Sequence, residues 1–319
     1  MKATIIKAPG EGPVYADFDQ PVAQAGHRLI EVTASALSHV ARARASGTHY
    51  SSATTFPFVA GVDGTGRLED GQRVYFFKPE APSGSLAEYC LVSAAHCVAL
   101  PDALDDVTAA AIAIPGMSSL AALVERGGFV AGETVLINGA TGTSGRLAVQ
   151  IAKHLGAGKV IATGRRETTL ASMKTAGADV TISLEQEEGA LNRAFESQFA
   201  EGVDVVLDYL WGSSARALLV SAAKASPDDH PVRFVQIGSI SGADIQLPAA
   251  VLRSAAITLT GSGIGSVPLP RLLHAMQQVF NAAVPAGLRT DTEIVPLADI
   301  GKYWAHADSL RRTVFVPKP

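Results

Sequence analysis

The spacing of hydrophobic and polar residues divides the chain into two kinds of pattern. Between Lys2 and Pro101, short apolar runs alternate with Gly, Pro and polar residues, which predicts the strands of a small β-barrel or curled sheet. From Glu133 onwards, apolar strands alternate with segments of helical period. The strands of this second part are predicted at residues 134–138, 159–163, 180–183, 204–208, 232–237 and 257–260. Six such strands joined by helices predict an α/β fold with a doubly wound parallel sheet.

Two further segments set the predicted domain boundaries. Residues 105–127 have a helical period that Pro115-Gly116 interrupts, which predicts two helices hinged at that dipeptide. After the sixth strand, a helix at 269–280 and strands at 292–296 and 313–316 cannot extend a complete sheet, so we expect this segment to return to the first domain. The predicted division is therefore a catalytic domain over 1–110, a nucleotide-binding domain over 111–262 and a return to the catalytic domain over 263–319.

A turn of small residues follows the strand at 134–138. Ala140, Gly142 and Gly145 have the spacing of the G-x-G-x-x-G fingerprint, with Ala140 in the first position. In that fingerprint the second glycine lets a pyrophosphate approach the backbone, and the third lets the helix pack close to the strand. The free N–H groups at the helix start then bind the anion. Because a strand precedes the turn and a helix follows it, we predict that the turn binds a dinucleotide, with Thr141, Thr143 and Ser144 completing the loop.

The next strand ends in Gly164-Arg165-Arg166, where an NAD enzyme would have an acidic residue for the ribose 2′-hydroxyl. Two guanidinium groups suit a 2′-phosphate, so the predicted cofactor is NADPH. Arg311, near the end of the chain, is a further candidate for this phosphate. Candidates for contact with the nicotinamide lie at later strand ends: Ile237, Gly238, Ser239 and Gly263. Ordinary turns and a solvated loop are the alternatives for these positions.

Composition excludes several classes of function. With 319 residues, 47% of them hydrophobic and 18% charged, the chain can form two domains with large cores. Its net charge is −4 and it has no long basic run, so no nucleic-acid partner is expected. We find no uninterrupted apolar run of about 18 residues and no signal-peptide pattern, which favours a cytoplasmic protein without a membrane partner. The two cysteines, Cys90 and Cys97, fit a reducing compartment and match neither a redox pair nor a metal knuckle.

Metal ligands are missing from the positions where an alcohol dehydrogenase of this layout would have them. Such an enzyme holds a zinc ion with Cys and His side chains to polarise the substrate oxygen. Here Ser38 takes the position of the first Cys, and Val62-Asp63 takes that of a His-Glu pair, so no metal site is predicted. Ser38, His39 and Tyr50 remain as the polar groups of the expected cleft and are the candidate catalytic residues. The alternative for each is a surface or structurally hydrogen-bonded side chain.

The chain resembles the zinc-independent quinone oxidoreductases of the medium-chain dehydrogenase/reductase family. The resemblance spans nearly the whole sequence and is most specific in LPDALDDVTAAAIAIPGMSSLAAL, at 100–123, and NGATGTSGRLAVQIAKHLGA, at 138–157. It implies a GroES-like β-barrel domain and a Rossmann domain with the cofactor in the cleft between them, and a homodimer joined by edge strands of the two Rossmann sheets. The family's active-site asparagine falls on Ser38 and its loop tyrosine on Tyr50, while a second family tyrosine falls on Ala43.

These observations predict an NADPH-dependent oxidoreductase that transfers a hydride to a quinone, or to the activated C=C bond of an enone, without a metal. Such acceptors are already electrophilic, so the protein must hold them against the nicotinamide and offer a hydrogen bond to the oxygen where charge develops. Ser38 and Tyr50 are the candidates for that bond, and His39 is the candidate proton source. Two alternatives remain open: reduction of a carbonyl or an enoyl thioester on the same fold, and a non-catalytic NADPH-binding protein.

Overall fold

The computed structural model describes residues 1–48, 55–305 and 311–317. The chain divides into two compact units, Met1–Ile114 with Met276–Pro319 and Pro115–Ala275. The strands are β1 (Lys2–Ile6), β2 (Val14–Asp17), β3 (His27–Ala36), β4 (Phe58–Val59), β5 (Asp63–Arg67), β6 (Arg73–Phe77), β7 (Tyr89–Ser93), β8 (Cys97–Ala99), β9 (Thr134–Asn138), β10 (Lys159–Gly164), β11 (Val180–Ser183), β12 (Val205–Asp208), β13 (Val232–Gln236), β14 (Ile257–Gly261), β15 (Thr292–Pro296) and β16 (Arg312–Val316). The helices are α1 (His39–Ala45), α2 (Asp106–Ala121), α3 (Thr143–His154), α4 (Glu167–Ala176), α5 (Glu188–Ala200), α6 (Gly212–Ala225), α7 (Val251–Ser254), α8 (Leu269–Ala283) and α9 (Ile300–Tyr303).

The first unit consists of two sheets whose strands are mostly antiparallel. One sheet has the order β2-β1-β4, and the other has the order β15-β16-β3-β5-β6-β8 with β7 also paired to β3. Inward-facing residues alternate along the strands, so that Ile30 and Val32 of β3 pack on Val74 and Phe76 of β6. β16 pairs with β3 through Val314, so the terminal strand belongs to a sheet of this unit.

The second unit is a six-stranded parallel sheet in the order β11-β10-β9-β12-β13-β14. Alternate residues of β9 enter two different cores: Val135 and Ile137 pack with side chains of α3 and α4, whereas Leu136 packs with side chains of α5 and α6. Helices therefore cover both faces, which explains why these strands are continuous apolar runs in the sequence. The predicted doubly wound fold is confirmed.

The hinge predicted at Pro115-Gly116 is wrong. α2 continues through Pro115 to Ala121, and the departure from α-helical geometry comes later, as a π-helical turn at Ala122–Arg126. Proline normally breaks a helix because it lacks an N–H group and its ring collides with the preceding turn. Here Ala110 and Ile112 are fully buried in that preceding turn, and tertiary packing outweighs the local preference.

The boundaries between the units differ from those placed by sequence at 110/111 and 262/263. In the structure they fall at Ile114–Pro115 and Ala275–Met276, inside α2 and α8. A continuous helix gives no change in hydrophobic pattern at the residue where its contacts pass from one unit to the other. The short strands β2 and β4 were also not predicted, since one is largely exposed and the other has two residues.

One helical stretch among the described residues, Asp106–Arg126, is long and apolar enough to cross a membrane by length and composition alone. Inside the protein, however, 72% of its apolar window is buried. Such burial is typical of a core helix, whose apolar residues face protein on every side.

Candidate functional site

A tight turn, from Gly139 to Gly142, connects β9 to α3. Gly139 has φ of +87°, and a Cβ atom there would lie 2.8 Å from the Leu210 side chain. The Ala140 N–H donates to the Thr163 carbonyl at 2.8 Å, and Ala140 is completely buried. Positive φ favours glycine because a side chain would clash with the backbone. The turn is therefore fixed against β10 on one side and against the segment after β12 on the other.

The two remaining glycines of the fingerprint have different surroundings. A Cβ atom at Gly145 would overlap the Gly139 carbonyl oxygen and lie 2.6 Å from the Ala140 Cα. Around Gly142 the nearest atom is the Gly139 oxygen at 3.8 Å, and the backbone is in an extended conformation that any residue can adopt. Gly145 is thus required for packing, whereas Gly142 leaves open space at the start of α3.

The first N–H groups of α3 have no side-chain cap, which favours binding of an anion. Gly142 is its N-cap residue and provides no side chain to accept from the first N–H groups. Those groups, together with the helix dipole, favour negative charge beside the turn. The side chains of Thr141, Thr143 and Ser144 are half-buried around it.

Arg165 and Arg166 follow β10 and are exposed. Neither guanidinium has an ion pair or a side-chain hydrogen bond to another described residue. A Cβ atom on Gly164, which precedes them, would lie 2.5 Å from Thr141 Cγ2, so this strand end touches the glycine turn. Two cationic residues without a side-chain partner in the described part of the chain therefore follow a strand end that contacts the turn, and such charges suit a phosphate group.

The other predicted cofactor residues lie at separate places. The Ile237 and Gly238 N–H groups donate to the Asp208 carbonyl at 2.7 and 3.1 Å, which holds this segment beside the end of β12. Ser239, the next residue, is exposed. Gly263 is also exposed and donates its N–H to Ser266 Oγ at 2.7 Å. Arg311 belongs to the other unit and is exposed at the start of the terminal strand.

Sequence reasoning missed a buried polar network at the ends of three neighbouring strands, formed by Asn138, Thr163 and Asp208. Asn138 Nδ2 donates to Asp208 Oδ1 at 2.8 Å, and Thr163 Oγ1 donates to Asn138 Oδ1 at 2.7 Å. The Gly139 N–H in turn donates to Thr163 Oγ1 at 3.0 Å. The available signal was a polar residue at the end of each apolar strand. We call these three residues the strand-end network.

In the first unit, Ser38 is the N-cap of α1. Its Oγ accepts the Ala41 N–H at 3.0 Å, and the residue is 2% exposed. The hydroxyl hydrogen can still be donated to another group. His39, the first residue of the helix, is exposed, but partial desolvation and the charges of Arg42 and Arg312 lower its pKa. His39 is therefore mostly neutral near pH 7. Tyr50, the third candidate, lies outside the described residues.

A second buried cluster, Asp63, Tyr75 and Arg312, lies in this unit and was also missed. The Tyr75 hydroxyl donates to Asp63 Oδ2 at 3.1 Å, and both side chains are 0% exposed. Asp63 Oδ1 and the Nε and Nη2 atoms of Arg312 are buried without a hydrogen-bond partner among the described residues. Burial raises the pKa of Asp63 to about 7, against the opposing effects of the Arg312 charge and the Tyr75 hydrogen bond.

Among the described residues, no three His, Cys, Asp or Glu side chains are grouped so that they could hold a metal ion. Ser38 and Asp63 occupy the two positions compared above with the ligands of a zinc enzyme. Asp63 accepts a hydrogen bond from Tyr75 instead.

Solved quinone oxidoreductases share the overall fold of this chain. A family profile described as zinc-binding dehydrogenase matches residues 145–282. That match excludes Ser38 and Asp63, so it carries no information about zinc.

Comparison with known proteins shows similarity to quinone reductases and quinone oxidoreductases. The chain is 29% identical to a protein of Emericella nidulans named "Probable NADPH-dependent quinone reductase tdiC", over 96% of both chains. It is 31% identical to the quinone oxidoreductase of Lama guanicoe, over 61% of this chain and 60% of that protein. The quinone oxidoreductase of Thermus thermophilus, whose structures include a complex with NADPH, has a TM-score of 0.82 at 24% identity, with 99% of this chain and 100% of that chain covered. These comparisons show that the chain is similar to quinone oxidoreductases of the medium-chain dehydrogenase/reductase family.

The different surroundings of Gly142 and Gly145 give a paired prediction. Gly145→Ala should lower the free energy of unfolding by about 1–3 kcal/mol, because its Cβ has no space. Gly142→Ala should cost less than about 1 kcal/mol of stability, since only an N-cap preference is lost. It should nevertheless weaken NADPH binding about tenfold or more, because its Cβ occupies the space left for pyrophosphate. Chemical denaturation and calorimetric titration with NADPH measure the two effects. Normal NADPH affinity in Gly142→Ala would contradict this assignment.

The Asp63 cluster predicts a pH-dependent stability. The carboxyl titrates near 3.8 when unfolded and near 7 when folded, so between these values the folded chain retains a proton that the unfolded chain releases. Asp63 should therefore lower the free energy of unfolding as pH rises through this window, by up to about 4 kcal/mol in total. Asp63→Asn should remove that slope, as measured by chemical denaturation at pH 5 and pH 8. Parallel pH profiles for the two proteins would show that Asp63 does not titrate in this window.

Proposed function

We propose that this protein is an NADPH-dependent oxidoreductase that transfers a hydride to a quinone or to the activated C=C bond of an enone. The observation that carries the proposal is the glycine turn, with open space at Gly142, beside two arginines that have no protein partner among the described residues. The similarity to a protein named as an NADPH-dependent quinone reductase over 96% of the chain supports both the cofactor and the acceptor class.

Bound NADPH supplies the hydride, and the described residues explain how the protein would hold the cofactor. The turn and the N–H groups at the start of α3 bind the pyrophosphate, while Arg165 and Arg166 bind the 2′-phosphate. Ile237 and Gly238, fixed by the Asp208 carbonyl, form a second segment of backbone at the same edge of the sheet. Cofactors bind at this edge in open parallel sheets, beyond the carboxyl ends of the strands.

Ser38, His39 and Tyr50 are the proposed groups for the acceptor. Ser38 can donate its hydroxyl hydrogen while its oxygen caps α1, which fixes the position of the donor. His39 is mostly neutral at pH 7 because its pKa is lowered, so it acts as a hydrogen-bond donor rather than as a charged acid. The proton that completes the reaction then comes from water, since a reduced quinone or enone forms a stabilised anion.

Three further parts of the proposal concern the protein as a whole. The chemistry uses no zinc, because the acceptor is electrophilic without a metal. The protein is a homodimer joined by edge strands of the parallel sheets, and the strand order supports this by placing β14 at an edge. Its location is the cytoplasm, which the two free cysteines support.

The function is tested by a turnover screen with NADPH against simple quinones, enones, aldehydes and enoyl thioesters. We expect oxidation of NADPH with quinones or enones, and unchanged rates after dialysis against a zinc chelator. Turnover confined to aldehydes or enoyl thioesters would show that those compounds, and not quinones or enones, are the acceptors. NADPH binding without turnover of any acceptor would indicate a non-catalytic protein.

Coenzyme preference should depend on Arg165 and Arg166. A charge-assisted hydrogen bond to phosphate contributes about 1.5–3 kcal/mol, and about 1.4 kcal/mol corresponds to a tenfold change in affinity. The affinity for NADPH should therefore be at least about tenfold higher than the affinity for NADH. The double variant Arg165→Ala/Arg166→Ala should lose this preference, mainly through weaker NADPH binding, as measured by calorimetric titration with both coenzymes.

A matched control is Arg193→Ala/Arg253→Ala, which removes the same charge from exposed positions on α5 and α7. This variant should keep the NADPH preference. If both double variants changed the preference equally, the overall charge of the protein would be responsible and not the position of Arg165 and Arg166.

A further inference from the structure

Asp208, the last residue of β12, was not selected by sequence reasoning, but it is hydrogen-bonded to several segments beside the proposed cofactor site. Its Oδ1 accepts from Asn138 Nδ2 at 2.8 Å, and Asn138 is linked through Thr163 to the Gly139 N–H. The carboxylate therefore reaches the first residue of the glycine turn through two intermediate side chains. All three side chains of this strand-end network are 0% exposed.

The same carboxylate also holds the segment after β12. The Leu210 N–H donates to Oδ1 at 3.0 Å, and the Trp211 N–H lies 3.2 Å from Oδ1 and 3.1 Å from Oδ2. Trp211 has φ of 60° and ψ of −152°, a conformation that is adopted almost only by glycine. Such a backbone persists only where surrounding contacts impose it. Here the Asp208 carboxylate provides those contacts.

The Asp208 main chain supports a third segment. Its carbonyl accepts the N–H groups of Ile237 and Gly238 at 2.7 and 3.1 Å. Next to it, a Cβ atom on Gly238 would lie 2.5 Å from the Tyr209 carbonyl oxygen, so the two segments are in close contact. One residue thus joins the glycine turn, the strained Trp211 segment and the segment beginning at Ile237.

The groups around the carboxylate are neutral. They are the Asn138 amide from β9 and the N–H groups of Leu210 and Trp211, and no Lys, Arg or His of the described chain forms an ion pair with Asp208. Tyr209 is the adjacent titratable residue. Its hydroxyl bonds to Ser119 Oγ at 2.8 Å, and burial raises its pKa, so it stays neutral.

We propose that Asp208 is a positioning residue for NADPH: its ionised carboxylate, acting through Asn138 and Thr163, holds the glycine turn and the Trp211 segment in the geometry that binds the dinucleotide. The proposal rests on the function proposed above and adds a residue that does not itself touch the cofactor. Only the ionised form offers acceptors at both oxygens, because a protonated carboxyl turns one of them into a donor.

This role has a consequence for pH. Burial raises the pKa of Asp208, although hydrogen bonds from Asn138, Leu210 and Trp211 oppose the shift. As pH falls towards this raised pKa, the carboxyl gains a proton and one of the bonds to the Trp211 segment is lost. NADPH affinity should therefore decline as the solution becomes acidic. The decline should begin at a higher pH than it would if Asp208 had the pKa of an ordinary aspartate.

The test is Asp208→Asn, with NADPH affinity measured by calorimetric titration between pH 5 and pH 8. In this variant the amide oxygen at position 208 can still accept from Asn138, but the NH2 group faces the Trp211 N–H. Two hydrogen-bond donors then face each other, and the bond to Trp211 is lost. At pH 8 we expect about tenfold weaker NADPH binding, corresponding to the weakening of one charged hydrogen bond. The variant should also lose the acid-dependent decline of the wild-type affinity. In steady-state kinetics KM for NADPH should rise while kcat changes little.

Asp204→Asn is the matched control. Asp204 precedes the same strand at its opposite end, where it accepts the Thr134 N–H at 2.8 Å and pairs with His230 at 3.3 Å. The chemical change is identical, so a loss of stability without a loss of NADPH affinity is expected from Asp204→Asn. Equal losses of affinity in both variants would show that destabilisation of the sheet is responsible, and would overturn the proposal.

A second variant covers the case in which Asp208→Asn fails to fold. Thr163→Val keeps the side-chain shape but removes the hydroxyl between Asn138 and the Gly139 N–H, so it should also weaken NADPH binding. If the wild-type protein binds NADPH and the folded variants bind it equally well, this inference is wrong and the proposed function stands. If the wild-type protein does not bind NADPH, both are wrong.

Discussion

Pairing of buried polar groups at the carboxyl ends of β9, β10 and β12 is the interaction on which the second unit depends. Helices cover both faces of this sheet, so a polar group left unpaired at these strand ends would lose hydrogen bonding to water without replacement. The strand-end network supplies the missing partners from within the chain. Because the bonds cross three strands, the position of the glycine turn is set before any ligand binds, and a site formed in advance loses less entropy on binding.

The cluster of Asp63, Tyr75 and Arg312 is incompletely hydrogen-bonded, in contrast to the strand-end network. Several of its buried atoms lack hydrogen-bond partners among the described residues, and the Asp63 pKa is raised to about 7. Incomplete pairing of buried charge costs stability. A completely paired network makes a rigid support, whereas an incompletely paired cluster changes its charge easily. Natural proteins depart from complete pairing mainly at functional sites, and the nearby electrostatic effect of Arg312 on His39 places this cluster beside a candidate catalytic residue.

The features that could be predicted from the sequence are those that depend on residues close together in the chain. The apolar strands and the glycine turn are local patterns, so the six-stranded sheet and the cofactor class followed from them. The hinge at Pro115 failed because contacts from distant residues keep α2 continuous. Asn138 and Asp208 are 70 residues apart in sequence, and Asp63 and Arg312 come from opposite ends of the chain. A polar residue at a strand end is a local signal, but their contacts arise only when strand pairing brings them together, so the local pattern does not identify the partners.

The environment of α1 restricts which reactions the proposed site suits. Ser38 already accepts a backbone hydrogen bond, so it can offer one donor and no strong acid. His39 is kept mostly neutral by desolvation and by Arg42 and Arg312, and so is a poor source of a proton in the transition state. An unactivated ketone or aldehyde needs such a proton, because its alkoxide product is strongly basic. Quinones and enones give stabilised anions that water can protonate afterwards, so these electrostatics favour them over simple carbonyl compounds.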